Sequence, residues 1–315
     1  MKHIFAVCPN PSVDVTISVG KLKAGELNRA PSPVVTYSGK AINALKAAVL
    51  LGAEGTASGF IFDGDRDAFE KSLADFNCGS AFVASAGSVR RNIKICEADG
   101  TLTELNTPGP AVGDETRRGL IEAIEEISGE FTVSVISGSL PAGCGADYYG
   151  ELSRAVKSKY KIVDAEGERL ISALSSGATL IKPNRSEAEK ITGIKIKSDA
   201  DAIKAMKALI NLGASAVLLS AGGDGAYISD GKTAFYAKAP KVTVRSSVGS
   251  GDCMVGAAAA FLSGFEGKLN DDALYNILRS AVAAGSASVV TPGTNLFEKA
   301  EYDRIYKDVK PVKML

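Results

Sequence analysis

The sequence comprises 315 residues, of which 45% are hydrophobic and 23% are charged, a composition typical of a globular protein with one or two domains. Its 36 basic residues are balanced by 36 acidic residues, so the formal net charge at pH 7 is zero. Because nucleic acids and anionic membranes attract proteins through a basic surplus, neither partner is expected.

Histidine and cysteine usage narrows the chemistry further. His3 is the only histidine, which disfavours histidine-based catalytic triads and zinc sites, so a general base must be a carboxylate, lysine, tyrosine or cysteine. The five cysteines form no C-x-x-C pair, a pattern that favours free thiols in a reducing compartment. With neither a membrane-length apolar run nor a signal-peptide pattern, we expect a cytoplasmic protein.

Short runs rich in β-branched residues alternate with helix-like stretches along the chain. Strands are predicted at residues 3–8, 55–62, 132–137, 161–165, 178–182 and 216–220. Apolar residues recur three and four positions apart around 120–127 and 203–210, which indicates amphipathic helices. This alternation predicts an α/β fold in which helices cover both faces of a mainly parallel sheet.

Two segments interrupt the alternation. Residues 12–37 and 89–106 alternate polar and apolar residues around turns, which predicts antiparallel strands with one solvent-facing side. Such strands are too few to form their own core, so we expect a small β lid on a single domain spanning residues 1–315. Alternation also places Arg90, Asn92 and Lys94 on one face of a lid strand, where they either contact a charged substrate or protect a solvated strand edge.

The segment VGSGD, residues 248–252, precedes an alanine-rich helix. Its two glycines leave backbone N–H groups uncovered, and a helix N-terminus attracts anions. Asp252 could accept a proton from a substrate hydroxyl while these amides stabilise a transferring phosphoryl group. The alternative is that Asp252 only caps the helix and that the glycines only turn the chain.

Three further segments have the same strand–turn–helix or glycine-rich character: SGKAIN at 38–43, KPNRSE at 182–187 and SAGGDG at 220–225. Ser186 and Glu189 also fit a capping box, which gives the second segment a purely structural explanation. The glycines of the third are consistent with a nucleotide lying close to the backbone or with an ordinary turn.

In combination, these motifs resemble the ribokinase-like (PfkB) carbohydrate kinases over almost the whole chain. The residues that carry the resemblance are Asn10–Asp14 (NPSVD), Gly39 and Lys40 with Asn43, Ser137–Pro141 (SGSLP), Lys182–Asn184 with Glu187, Ser220–Gly225 and Val248–Asp252. The NPSVD and SGSLP motifs, with the R-x-N-x-K pattern of Arg90 to Lys94, look closest to the sugar-phosphate branch of that family.

The resemblance implies a three-layer α/β/α sandwich with an antiparallel β lid, and an ATP- and Mg²⁺-dependent kinase. The implied reaction converts fructose 1-phosphate to fructose 1,6-bisphosphate. Tagatose 6-phosphate or another sugar is the alternative substrate, and a non-catalytic sugar-phosphate-binding regulator is the alternative of another class. A homodimer formed through the β lid is also expected.

Transferred residue by residue, the resemblance implies a complete site. Asp252 would be the catalytic base, in an anion hole formed by Gly249, Ser250 and Gly251. The sugar phosphate would contact Asp14, Gly39, Lys40, Asn43, Arg90, Asn92, Lys94 and Ser139. The nucleotide would contact Lys182, Asn184, Glu187, Ser220, Gly222 and Gly225, with Glu187 reaching Mg²⁺ through water.

The chain departs from the family pattern at one motif. Where the sugar-phosphate branch commonly has G-G-K-G-x-N, this sequence has Ser38-Gly39-Lys40-Ala41-Ile42-Asn43. The side chains of Ser38 and Ala41 could crowd a backbone that approaches the sugar, especially if either position requires a positive φ. We therefore expect phosphoryl transfer to persist, with the identity of the sugar as the open question.

Overall fold

The computed structural model describes residues 3–291 and 296–315, and its centre is a ten-stranded sheet. The strands of this sheet are β1 His3–Cys8, β4 Glu54–Phe62, β5 Gly79–Ser85, β8 Val133–Ser137, β9 Tyr160–Asp164, β10 Leu180–Ile181, β11 Val217–Ser220, β12 Ala226–Ser229, β13 Ala234–Ala237 and β14 Val312–Lys313. Their spatial order is β14-β13-β12-β11-β10-β9-β8-β1-β4-β5. Pairing is parallel from β5 to β11 and antiparallel from β11 to β14.

All six predicted strands are present, with ends shifted by no more than two residues. The central strand β1 explains why the fold needs helices on both sides. From Ile4 to Cys8 every residue has 0% exposure, although successive side chains point to opposite faces of the sheet. Both faces are therefore covered, as predicted for a mainly parallel sheet.

Helices follow most of the parallel strands. They are α1 Lys40–Leu50, α2 Arg66–Ala74, α3 Asp114–Ile127, α4 Tyr148–Ala155, α5 Glu168–Leu174, α6 Arg185–Thr192, α7 Asp199–Asn211, α8 Ser250–Ser263, α9 Asp271–Ser288 and α10 Lys299–Asp308. Among these helices, none combines the length and the apolar composition needed to cross a bilayer.

Small residues let α1 and α8 approach closely. A Cβ placed on Gly256 of α8 would lie only 2.3 Å from the carbonyl oxygen of Ala44 and 2.8 Å from the Cβ of Ala47, both in α1. The contact brings together two predicted site residues, because α1 contains Asn43 and α8 contains Asp252.

A second sheet forms the lid. Its strands are β2 Ser12–Val19, β3 Val34–Ser38, β6 Arg90–Glu97 and β7 Leu102–Asn106, in the order β3-β2-β6-β7. The two hairpins, β2–β3 and β6–β7, are antiparallel as predicted, but the central pair β2–β6 is parallel. This difference arises because β2 follows β1 and β6 follows β5, and those two strands run in the same direction in the main sheet.

The strand register gives the lid two chemically different faces. One row across the sheet contains Val35, Val15, Ile93 and Leu105, and the adjacent row contains Thr36, Asp14, Asn92 and Asn106. Because directly paired residues point to the same side of a sheet, one face is apolar and the other is polar. The predicted grouping of Arg90, Asn92 and Lys94 on one face is confirmed, and it is the polar face.

Candidate active site

The predicted site residues lie after the carboxyl ends of neighbouring parallel strands. Asn10 follows β1, Ser139 follows β8, Lys182 follows β10 and Ser220 ends β11. Between β8 and β10 runs β9, which ends at Asp164. Open α/β sheets bind their ligands at this edge, so the topology brings together motifs that are far apart in sequence.

Asp252 lies in the first turn of α8 and is 8% exposed. The helix is capped by Gly249, which has a φ of 81°, and no side chain caps it. The carboxylate of Asp252 instead accepts a hydrogen bond from Asn43, with 2.9 Å between Nδ2 and Oδ2. Asp252 therefore does not cap its helix, which was the alternative interpretation of the sequence.

The surroundings of Asp252 adjust its basicity. Burial raises the pKa of this carboxyl to about 6, and the negative charge of Asp164 acts in the same direction. The hydrogen bond from Asn43 and the charges of Lys40 and Lys182 lower the pKa and so offset part of the effect. A carboxylate with this pKa is ionised at pH 7 and is a better proton acceptor than an exposed aspartate.

Lys182 lies against the start of α8. A Cβ placed on Gly251 would be 3.2 Å from its Nζ, and the same Nζ is 3.3 Å from Oδ1 of Asp164. Burial alone would lower the pKa of Lys182, but the charges of Asp164, Glu187 and Asp252 outweigh it and raise the pKa. The ammonium group therefore stays charged beside the backbone amides of the glycine-rich turn.

Asp164 was not identified from the sequence. It is 5% exposed and accepts a hydrogen bond from the hydroxyl of Ser137 at 3.0 Å, in addition to its ion pair with Lys182. No motif marks it. The one available signal was a polar residue near the end of the predicted strand 161–165, which in a parallel sheet places a carboxylate at the ligand-binding edge.

The polar face of the lid contains a buried ion pair. Nζ of Lys94 lies 2.8 Å from Oδ2 of Asp14, and the two residues are 6% and 5% exposed. Asn92 and Ser12 each donate a hydrogen bond to Oδ1 of Asp14, both at 2.9 Å. Asp14, Asn92 and Lys94 are thus brought together as predicted, but the positive charge of Lys94 is neutralised by Asp14.

Arg90 differs from the other basic residues of its strand. Its Nε and Nη2 donate to the backbone carbonyl of Asn10 at 3.3 and 3.2 Å, and its Nη1 donates to the amide oxygen of Asn92 at 3.0 Å. Arg91, on the apolar face, instead forms an ion pair with Asp65 at 2.7 Å. Arg90 is therefore held by neutral acceptors only, and its charge is not compensated by a carboxylate of the described residues.

Three more predicted residues surround this part of the site: Gly39, Lys40 and Ser139. Asn10, which the NPSVD motif contains but which was not selected individually, donates from Nδ2 to the hydroxyl of Ser139 at 3.0 Å. Lys40 is exposed and forms no ion pair within residues 3–291 and 296–315, although its charge lowers the pKa of Asp252. Gly39 has a φ of 154°, and a Cβ there would lie 2.5 Å from Sγ of Cys8, so only glycine fits.

The KPN segment begins α6 with a capping box, but not the predicted one. Asn184 is the N-cap: its Oδ1 accepts from the backbone N–H of Glu187 at 2.9 Å, and Oε2 of Glu187 accepts from the backbone N–H of Asn184 at 2.8 Å. The prediction of Ser186 with Glu189 was wrong because the helix begins at Arg185, one residue before Ser186.

The 220–225 loop lies beside the KPN segment, since the backbone N–H of Ser220 donates to the carbonyl of Pro183 at 3.0 Å. Its two predicted glycines differ. A Cβ on Gly225 would be 2.0 Å from the carbonyl oxygen of Ala237, so this glycine is required by strand packing. A Cβ on Gly222 would have nothing within 4 Å, which leaves open space for a ligand beside the backbone.

The two substitutions in the SGKAIN motif cause no backbone strain. Asn77 is the only non-glycine residue with a positive φ in the part of the chain that the structure describes. Ser38 and Ala41 therefore occupy conformations that any L-residue adopts, so the strain that a positive φ would impose is absent at both positions.

A glycine-rich helix start beside a lysine and a buried carboxylate, under a β lid, has the anion-binding groups and the proton acceptor that phosphoryl transfer requires. Comparison with known protein families agrees with this chemistry: the sequence model of the pfkB family of carbohydrate kinases matches residues 10–300. The chain therefore belongs to the pfkB family of carbohydrate kinases.

Individual relatives cover nearly the full chain. A 1-phosphofructokinase from Borreliella burgdorferi is 33% identical, with 91% of this chain and 92% of the relative aligned. A 1-phosphofructokinase from Bacillus subtilis is 31% identical, with 90% and 92% aligned. The crystal structure of phosphofructokinase-2 from Escherichia coli in complex with potassium superposes with a TM-score of 0.89 at 30% identity, covering 98% of this chain and 99% of that chain.

Proposed function

We propose that this protein transfers a phosphoryl group from ATP to fructose 1-phosphate and so forms fructose 1,6-bisphosphate. The observation that carries the proposal is the state of Arg90, which is fixed on the polar face of the lid by neutral acceptors. An arginine whose charge is uncompensated recognises a phosphate more strongly than a neutral sugar. The names of the Borreliella and Bacillus relatives support the same substrate.

The sugar phosphate would bind between the lid and the edge of the main sheet. Arg90 and the exposed Lys40 supply positive charge for its phosphate. Hydroxyl groups of the sugar would contact Asp14, Asn92, Lys94, Asn43 and Ser139, and the sugar would approach the backbone at Gly39. Because Asp14 and Lys94 form a neutral pair, they recognise hydroxyl groups rather than the phosphate.

The chemical step needs one proton acceptor and an anion hole. Asp252 accepts the proton of the attacking hydroxyl, whose oxygen bonds to the γ-phosphorus while the bond to the leaving ADP oxygen breaks. Backbone amides of Gly249, Ser250 and Gly251, with the ammonium of Lys182, stabilise the charge that develops on the transferred group. The protein supplies all of these groups without a histidine.

The nucleotide would lie along the two adjacent loops after β10 and β11. Lys182, Asn184 and Glu187 would contact its phosphates, while Ser220, Gly222 and Gly225 form the wall beside its remaining part. No cluster of three metal-ligating side chains occurs in the ranges 3–291 and 296–315. Glu187 would hold Mg²⁺ through water, and the ion would neutralise charge on the phosphates of the nucleotide.

The lid would also form the contact between two copies. Its apolar face carries Val35 and Leu105, which are 47% and 55% exposed, in one row with Val15 and Ile93. A sheet face of this composition is stabilised when it is covered. We infer a homodimer in the cytoplasm, with lids packed through their apolar faces and the polar faces turned to the substrates.

A substrate screen tests the proposal. ADP release would be followed with fructose 1-phosphate, fructose 6-phosphate, tagatose 6-phosphate and fructose as acceptors. We expect the highest kcat/KM with fructose 1-phosphate and the lowest with fructose. A higher value with tagatose 6-phosphate or fructose 6-phosphate would replace the proposed substrate, and sugar-phosphate binding without ADP release would identify a regulator instead of a kinase.

A further inference from the structure

Ser38 is the last residue of the lid strand β3 and occupies the position where the sugar-phosphate branch commonly has glycine. It is 3% exposed, and its hydroxyl lies 3.1 Å from Oδ1 of Asn43. Asn43 in turn bonds Asp252, with 2.9 Å between Nδ2 and Oδ2. The three side chains therefore form a continuous chain of hydrogen bonds, called the relay below, that ends on the carboxylate of Asp252.

The direction of each hydrogen bond in the relay follows from the carboxylate of Asp252, at which the relay ends. An ionised carboxylate only accepts, so the amide nitrogen of Asn43 must face Asp252. The amide oxygen of Asn43 then faces Ser38, and because that oxygen only accepts, the hydroxyl must donate. Ser38 thus fixes the amide plane of Asn43 in the orientation that donates to Asp252.

The position of Ser38 is itself determined by the lid. Ser38 pairs with Ser12 at the end of the β2–β3 ladder, and Gly39, with a φ of 154°, then turns the chain into α1. The hydroxyl is consequently held by the backbone of the lid sheet, whereas Asn43 is held by α1 and Asp252 by α8. The relay connects three separate elements at one point.

Orientation matters because only one oxygen of Asp252 is used by the relay. Asn43 occupies Oδ2, and no group of the described residues bonds Oδ1, which is left for the substrate hydroxyl. Proton transfer requires this oxygen to stay within hydrogen-bonding distance of the reacting group, and small displacements reduce the rate strongly. An amide without its second hydrogen bond would rotate more freely and would hold the carboxylate less firmly.

We propose that Ser38 is a positioning residue for proton transfer and that it acts through Asn43. The inference rests on the proposed function, since it assigns Ser38 to the same reaction. A glycine at this position could not supply the hydroxyl, so the departure from the family motif adds a member to the relay instead of weakening the site.

The test replaces the hydroxyl and measures steady-state kinetics with a sugar phosphate that the wild type phosphorylates. In Ser38→Ala we expect kcat to fall about 10-fold, the amount associated with one hydrogen bond, while KM changes less than about twofold. The hydrogen bond from Asn43 lowers the pKa of Asp252, so weakening this bond should raise that pKa. The acid limb of the pH profile of kcat/KM should therefore move to higher pH. Ser38→Thr retains the hydroxyl and should recover most of kcat.

Two controls separate positioning from a general loss of stability. Ser58 has 0% exposure and donates to the carbonyl of Ala81 at 2.7 Å, outside the site, so Ser58→Ala removes a comparable buried hydrogen bond and should leave the acid limb unchanged. In an Asn43→Ala background, Ser38→Ala should cause no further loss of kcat, because the two residues act in series.

Two results would overturn the proposal. One is a double variant in which the losses of kcat caused by Asn43→Ala and Ser38→Ala multiply. The other is a Ser38→Ala enzyme with wild-type kcat and an unshifted acid limb. Both results would leave the proposed function intact, because the wild type would still phosphorylate the sugar. A wild type that releases no ADP with any sugar phosphate would instead overturn the proposed function.

Discussion

At the scale of single residues, the account depends on which charges are compensated. Lys94 is paired with Asp14, Lys182 with Asp164 and Arg91 with Asp65, whereas Arg90 is bound only by neutral oxygens. Sequence alternation could place Arg90 and Lys94 on one face, but it could not reveal that a carboxylate 80 positions before Lys94 neutralises it. Pairing between distant strands decides this, and no local pattern encodes it.

Replacing Arg90 tests the phosphate contact. Arg90→Ala should raise KM for fructose 1-phosphate by at least about 10-fold, the loss expected for a charge-assisted contact, with a much smaller effect on KM for fructose. Arg91→Ala is the matched control, because it removes a charge from the same strand on the opposite face and should leave the ratio of the two KM values unchanged. Equal increases for both sugars in Arg90→Ala would argue against a phosphate contact.

The raised pKa of Asp252 predicts the pH dependence. A general base works only when ionised, so kcat/KM should be fully developed above the pKa and should fall as the pH decreases through about 6. The measurement is kcat/KM between about pH 4.5 and pH 8. A profile that stays flat to the acid end would mean that Asp252 is not the titrating base.

At the scale of secondary-structure elements, the closeness of α1 and α8 places Asn43 beside Asp252. The alternation of strands and helices predicted this layering, and the alanines and glycines of α8 are the small residues that allow the close approach. The partner helix was not predictable, because Asn43 and Asp252 are 209 positions apart. Likewise, both lid hairpins were predicted from local turns, whereas the parallel pairing of β2 with β6 follows from the direction of β1 and β5 in the assembled sheet.

The helix contact can be tested at Gly256. Gly256→Ala should destabilise the protein by about 1–3 kcal/mol, because the new methyl group overlaps the backbone of α1, and it should reduce kcat by displacing Asp252 from Asn43. The measurements are denaturant unfolding and steady-state kinetics.

Gly119→Ala is the control for this substitution. Gly119 lies within α3, and a Cβ there would have its nearest neighbour, a methyl group of Val83, at 3.7 Å. Alanine at this position should therefore stabilise the protein by about 0.5–1 kcal/mol. If the two substitutions had equal effects on unfolding, the close approach of α1 and α8 would not be a significant constraint.

At the scale of the whole molecule, we propose one kinase domain, residues 1–315, whose lid has separate tasks on its two faces. The motifs at the carboxyl ends of β1, β8, β10 and β11 were recognisable in the sequence because glycines and polar residues interrupt apolar strands there. Asp164 was not singled out by its position near the end of a predicted strand, since its importance depends on β9 lying between β8 and β10 and on the proximity of Lys182.

The apolar face of the lid predicts the oligomeric state. Leu105→Lys should convert a dimer into a monomer, because it places a charge on the apolar face that forms the proposed contact. Leu212→Lys is the control: Leu212 is 45% exposed, similar to the 55% of Leu105, but it lies at the end of α7, outside the lid. Sedimentation of both variants beside the wild type is the measurement, and a dimeric Leu105→Lys variant would exclude this interface.

The claim that Asp252 is the proton acceptor is tested most directly by the turnover of Asp252→Asn. The substitution keeps the size of the side chain and removes its basicity, so kcat should fall about 10²–10⁴-fold while the affinity for the sugar phosphate changes little. Asp201→Asn is a matched control, because Asp201 occupies the same third helical position in α7, outside the site, and its loss should leave kcat unchanged. Near-wild-type turnover by Asp252→Asn would contradict the account.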